Sequence, residues 1–167
     1  MNRRDLLKNS MATVAAFSMA SFSAVALAAA QNESQLRRRA LRSLATSLAG
    51  KLLLPRDPQY RAAALSANAR FDQVLPLAVA MCTSSSDVAR RINWARKEGV
   101  ALATKGGGHN YEGASSTAGL LINTRSMDRI RVDREAKTLV VGSGVLNGAI
   151  LNELKTGNLM LPIGTCP

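Results

Sequence analysis

The sequence predicts an α+β half-domain: a βαβ unit, then an antiparallel hairpin and a short helix. Three observations carry this. Two short apolar runs, from Leu75 to Cys82 and from Val100 to Thr104, flank a segment of helical periodicity with short links, which is the pattern of a parallel, right-handed crossover. Ile130-Arg131-Val132 and Thr138-Leu139-Val140-Val141 flank the turn Asp133-Arg134-Glu135-Ala136, as the arms of a hairpin do. Between these two units, Lys105-Gly106-Gly107-Gly108-His109-Asn110-Tyr111 follows the second strand directly.

Along the chain, residues 1–30 read as an export address. Asn2-Arg3-Arg4-Asp5-Leu6-Leu7-Lys8 is a twin-arginine pattern, an Ala-rich apolar run extends from Met11 to Ala30, and Ala26-Leu27-Ala28 and Ala28-Ala29-Ala30 offer small-x-small cleavage sites. An uncleaved anchor fits less well, because the run is rich in Ala, Ser and Thr rather than Leu and Ile. The expectation is passage through the twin-arginine machinery to the periplasm or beyond, with no stable membrane span after cleavage.

Residues 31–69 read as a helical lead and an extended connector. Leu36, Ala40, Leu41, Leu44 and Leu48 recur at helical spacing, with arginines on the other face and Gly50 as a stop. Such a helix can lie on an anionic membrane or, more plainly, pack on the domain edge. Pro55 and Pro58 make Leu52 to Tyr60 an extended connector, and Arg61 to Ala67 forms a short helix.

The third region, residues 70–167, is the domain proper. Its first strand carries Pro76 at the start, where a missing N–H is tolerated, and ends in Cys82, a buried core thiol. Ser84-Ser85-Ser86-Asp87 suits a helix N-cap. The helix runs to about Glu98, with Val88, Ile92 and Ala95 on its inner face and Gly99 ending it. After the glycine loop, Gly119 to Asn123 is a strand. Past the hairpin, Asn147 to Lys155 is a helix with Ile150, Leu151 and Leu154 inward, closed by Gly157. Leu159 to Pro162 is extended, and the chain stops at Ile163-Gly164-Thr165-Cys166-Pro167, which reads as the middle of a loop and so as the edge of a truncated domain.

Composition narrows the function. A formal charge of +11 suggests nucleic acid, but aromatics are only 4% and the basic residues are dispersed apart from Arg37-Arg38-Arg39, so stacking platforms are scarce. The charge is read instead as solvated surface with some attraction for an anionic ligand. Two cysteines and one histidine cannot build a four-ligand zinc site without carboxylates, so no metal is expected. The glycine loop is not a Walker loop, lacking Gly-Lys-Ser/Thr, nor a dinucleotide fingerprint, lacking GxGxxG. Three missing Cβ atoms nonetheless leave backbone that can curl its N–H groups around an anion. Lys105 precedes that loop and His109, the sole imidazole, follows it. The plainer alternative is a flexible turn with an incidental exposed histidine.

From about Tyr60 to Pro167 the chain resembles the N-terminal part of a PCMH-type FAD-binding domain, of the p-cresol methylhydroxylase/vanillyl-alcohol oxidase superfamily, and within it the berberine-bridge-enzyme and oligosaccharide-oxidase branch. The resemblance rests on residues in the family's order: Ser86-Asp87-Val88, Gly107-Gly108-His109, Tyr111-Glu112-Gly113, Leu120-Leu121-Ile122-Asn123, the Gly144 turn before a helix, and Pro162-Ile163-Gly164-Thr165-Cys166-Pro167. One position departs: the family usually has Arg four residues before the histidine, and here it is Lys105. The lysine keeps the charge but loses bidentate geometry, weakening the grip on a diphosphate.

The resemblance implies FAD as cofactor, contacted by Lys105, Gly106, Gly107, Gly108, His109, Asn110, Tyr111, Gly164, Thr165 and Cys166. It implies covalent attachment of the flavin 8α-methyl carbon through His109, which needs a neutral imidazole and would be helped by a solvent-poor site. Cys166 falls where bicovalent members bond the flavin a second time, and a disulfide is its alternative in an exported protein. The implied activity is that of an FAD-dependent oxidase of alcohol- or sugar-type substrates, with dioxygen as acceptor. No residue present is assigned as its catalytic base. The alternative is a non-catalytic FAD-binding fragment of a truncated reading frame.

Overall fold

The structure, a computed structural model, describes residues 39–46 and 49–162. The predicted export segment and Gly164, Thr165 and Cys166 lie outside the described residues. The chain divides into two units, with the boundary between Ser43 and Leu44. Residues 39–46 are helical (α1), and the Ser43 hydroxyl donates back to the Ala40 carbonyl. No helix among the described residues is long and apolar enough to cross a membrane.

The second unit holds a four-stranded sheet made of β1 (Lys51–Leu53), β2 (Ala78–Met81), β3 (Leu102–Lys105) and β4 (Leu120–Asn123), in the order β1-β2-β4-β3. β4 runs parallel to both β2 and β3, while β1 pairs antiparallel with β2. One expectation is corrected here. The segment from Leu52 is not simply a connector, because its leucines pair with β2 before the first proline intervenes. The two strands of the predicted βαβ unit run in the same direction, as expected, each parallel to β4. β4 inserts between them, so the unit is a crossover with a gap that a later strand fills.

Register builds the core row by row. Leu53, Val79, Leu121 and Ala103 are aligned partners across the four strands. All four are buried, with Tyr60 and Ala64 of α2 (Tyr60–Ala64) completing the cluster. Tyr60 reaches past the sheet to donate its hydroxyl to the Pro76 carbonyl, and burial raises its pKa. The helix expected from Arg61 to Ala67 is thus shorter, and a 3₁₀ turn at Ala69–Phe71 follows it.

α3 (Ser85–Lys97) starts as expected, with the Ser84 hydroxyl accepting from the Asp87 N–H. Its inner face differs from the expected one. Asp87, Arg91 and Ala95 are buried, while Ile92 is exposed. The pattern Val88-Ile92-Ala95 looks like the apolar stripe, but the helix turns its charged pair inward to tie down the strand preceding it and the segment that leads to β1. The Asp87 carboxylate accepts from the Ala49 N–H, from the Thr83 N–H and hydroxyl, and from Arg90 at 2.7 Å. Arg91 donates to the Leu44 carbonyl at 2.6 Å. Cys82 is free and fully buried, and burial followed by the nearby Asp87 charge pushes its thiol up to about 11.

β5 (Ile130–Asp133) and β6 (Thr138–Val141) form the expected hairpin as a separate two-stranded sheet, with Lys137 at φ 51° in the turn. α4 (Asn147–Lys155) buries Ile150 and Leu154. Leu151, expected inward, is 45% exposed, while Ile150 and Leu154 take the face of α4 that packs toward β5.

Candidate functional site

The same register that aligns the core aligns a second row two residues along, on the same face of the sheet. Lys51 pairs with Met81, Met81 with Asn123, and Asn123 with Lys105. These positions close the parallel strands, and a cleft of about 850 Å³ opens over them. All four residues line it, together with Thr83 after β2, Gly106 and Gly107 after β3, and Arg125 and Ser126 after β4. Ala62, Ala63 and Leu65, at the end of α2, form a further wall. The C-terminal ends of parallel strands are where open α/β sheets take ligands. The volume falls in the range of about 300–1,000 Å³ usual for small-molecule sites.

The charge of this cleft is one-sided. Lys51, Lys105 and Arg125 line it, and among the described residues no aspartate or glutamate does. Polar side chains of the row are used to hold α2 in place. Lys105, almost fully buried, donates its ammonium to the Leu65 carbonyl at 2.5 Å, and the Asn123 amide donates to the Ala63 carbonyl at 3.2 Å. Both acceptors lie in or just past the last turn of α2, where helical carbonyls lack intrahelical partners and favour a cation. Burial lowers the Lys105 pKa. Asn123 also accepts from the Arg125 N–H at 2.9 Å, which fixes the first residues beyond β4.

The three glycines have separate roles. Gly106 passes so close to the segment after β6 that a Cβ would stand 2.7 Å from the Ser143 carbonyl oxygen. Gly107 is exposed, and Gly108, buried, makes the turn at φ +81° with its carbonyl accepting from the Ala67 N–H. The His109 ring is exposed, not in the solvent-poor surroundings expected of a flavin attachment point, and folds back on Gly107, where a Cβ would stand 3.0 Å from the imidazole Cδ2. Asn110 organises the next turn by accepting from the Glu112 and Ala114 N–H groups, and Asn68 donates to the Tyr111 carbonyl.

Of the residues expected to hold a cofactor, Lys105, Gly106 and Gly107 lie on the cleft. Gly108 is the turn beneath it, and His109, Asn110 and Tyr111 do not line it. Gly164, Thr165 and Cys166 lie outside the described residues. The sequence reading missed Lys51, Thr83, Asn123, Arg125 and Ser126. The signal available for three of these was the polar run Asn123-Thr124-Arg125-Ser126 at the end of an apolar strand.

The family described as FAD binding domain matches residues 76–167. This chain belongs to that family. The (R)-6-hydroxynicotine oxidase of Paenarthrobacter nicotinovorans is 30% identical over 122 residues, covering 72% of this chain and 26% of that protein. The glucooligosaccharide oxidase of Sarocladium strictum is 33% identical over 96 residues, covering 55% of this chain and 19% of that one. Among solved structures, a BBE-like protein of Physcomitrella patens superposes with a TM-score of 0.68 at 27% identity, over 75% of this chain and 28% of its own. The relatives are FAD-linked oxidoreductases, and the mixed α+β fold is that of part of their FAD-binding domain. The chain spans about a quarter of the length of the first curated relatives it matches, 26% and 27%.

Proposed function

We propose that this protein supplies the flavin-holding part of an exported FAD-linked oxidase acting on an alcohol- or sugar-type carbon. The observation that carries the reading is the one-sided cleft, which among the described residues has three cations, no carboxylate, and the bare backbone of Gly106 and Gly107 at the ends of parallel strands. These residues fit the diphosphate of FAD, which needs cations and backbone N–H groups at close approach. Asn123 and Ser126 add neutral polar contacts, and Met81 with Ala62 and Ala63 gives an apolar wall.

When bound, the flavin supplies two-electron chemistry: the substrate carbon gives up a hydride and its hydroxyl a proton, and dioxygen takes the electron pair on to hydrogen peroxide. The protein's own residues bind and orient. Lys105 and Asn123 hold the α2 wall against the sheet, and Gly108 turns the chain so that His109 follows the loop at its rim. His109 serves as the primary point of covalent attachment and Cys166 as the second. The relative named glucooligosaccharide oxidase supports a sugar-type substrate, and the relative named (R)-6-hydroxynicotine oxidase supports a wider range. Arg3 and Arg4, placed before a weakly apolar segment, support export by the twin-arginine route.

A denaturing gel of full-length protein from separated cell fractions, read by flavin fluorescence, tests these assignments. Wild type should carry flavin through the gel, His109→Ala should keep a weaker signal through Cys166, and the double variant with Cys166→Ala should carry none. Flavin in the double variant's band contradicts both attachment points. Flavin released by the wild type excludes covalent attachment while leaving the cleft reading intact. On the same gel, Arg3→Lys/Arg4→Lys protein should stay in the cytoplasmic fraction, and unchanged export of it would contradict the twin-arginine route.

A further inference from the structure

Lys105 is the cation expected to grip an anionic ligand, yet its ammonium is already committed. It is 7% exposed and bonded at 2.5 Å to the Leu65 carbonyl just past α2. Turning toward a ligand would leave that carbonyl without its partner and loosen the cleft's own wall. The cationic contact therefore has to come from another side chain, and the cleft offers Lys51 and Arg125.

Position decides between them. In the strand order β1-β2-β4-β3, Lys51 sits three strand spacings from the glycine loop, roughly 14 Å at about 4.8 Å per spacing. Arg125 leaves β4, the immediate neighbour of β3, and its surroundings touch the loop. The Thr124 N–H donates to the Lys105 carbonyl at 2.9 Å, and Gly106 packs against the Ser143 carbonyl. The Arg125 guanidinium is held at its base, one nitrogen donating to the Gly144 carbonyl at 2.9 Å and its backbone N–H to Asn123. Its remaining N–H donors keep the planar fork that matches two phosphate oxygens at once.

We propose that Arg125, not Lys105, is the residue that binds the diphosphate of the flavin cofactor, and that Lys105 is a positioning residue that locks α2 onto the sheet beside it. This rests on the FAD reading above and deepens it. It assigns to β4 a contact that the sequence places at the start of the glycine loop.

The test uses full-length apoprotein made in a riboflavin-starved, riboflavin-auxotrophic host, titrated with FAD, with riboflavin, which lacks phosphate, and with inorganic pyrophosphate as competitor. Arg125→Gln should weaken FAD binding roughly 10–100-fold, the worth of a charged hydrogen-bonded contact, and leave riboflavin binding unchanged. It should also abolish competition by pyrophosphate. Arg125→Lys should restore part of the loss. Lys105→Met should lower the thermal midpoint and weaken FAD and riboflavin alike. FAD binding by a folded Arg125→Gln protein that equals wild type overturns the proposal. So does a Lys105→Met variant that loses FAD selectively while keeping riboflavin. Wild-type apoprotein that binds neither FAD nor pyrophosphate overturns the flavin reading and this inference with it.

Discussion

β4 and β5 have the same length and follow one another along the chain, yet they are different kinds of strand. Leu120–Asn123 is buried at every position, whereas Ile130–Asp133 alternates between half-buried and exposed. β4 sits inside a sheet with α2 against one face and α3 packed on it, and strands enclosed in this way read as unbroken apolar runs. β5 has only β6 beside it and α4 on one side. The cleft lies at the end of β4 because a strand held on both faces delivers the residues after it to a fixed place. Asn123, Arg125 and Ser126 inherit that precision, and the hairpin has nothing comparable to offer.

Substitutions of similar chemistry should therefore separate the two regions. Leu121→Ala, in the middle of the buried row, should cost about 2–5 kcal/mol in urea unfolding of the full-length protein. A loss below about 1 kcal/mol would mean that the sheet is not the core.

The ion pairs should divide in the same way. The Asp87 side chain is 0% exposed and lies 2.7 Å from Arg90, which is itself 47% exposed, while Arg134 and Glu153, linking the hairpin to α4, are each 48% exposed and 3.4 Å apart. Burial alone raises the Asp87 carboxyl. The Ala49 N–H, the Arg90 guanidinium, and the Thr83 N–H and hydroxyl more than reverse this, and hold it at about 2. A carboxyl whose folded value lies below its ordinary one stabilises fully above about pH 4, and that contribution is lost as the pH falls through about 2, on the order of 2 kcal/mol. Denaturation midpoints measured down that range should fall more steeply for wild type than for Asp87→Asn. Glu153→Gln should follow the wild-type curve, and parallel curves for wild type and Asp87→Asn would contradict the role given to the buried Asp87 carboxylate. The smallest effect belongs to Val140→Ala, on the exposed face of β6, which should change stability by no more than about 0.5 kcal/mol.

How much was legible in the sequence follows the same division between local and long-range causes. Ser84 as N-cap, Gly99 after α3, the hairpin turn and the glycine loop are local chemistry, and each stands where the residues place it. What needed partners from afar did not show. Lys51 to Leu53 form a strand only because β2 offers an edge, so three leucines before a proline read as a connector. The insertion of β4 between β2 and β3 depends on a pairing that neither strand encodes alone. The inward turn of Asp87 and Arg91 cannot be read until their partners at Ala49 and Leu44 are known. Lys105 was legible as a cation beside a glycine loop, but its acceptor, Leu65, lies 40 residues earlier in the chain. The family and its cofactor were readable from the ordered motifs. The division of labour between Lys105 and Arg125 was not, because it is set by which carbonyl each side chain meets.

Flavin occupancy is the most direct test of the cleft. Full-length protein, purified from the cells that make it without added cofactor, should show visible flavin absorption at close to one flavin per chain. Its apoprotein should regain that absorption when FAD is supplied. A colourless protein that takes up no FAD on incubation would contradict the assignment of this cleft to the flavin.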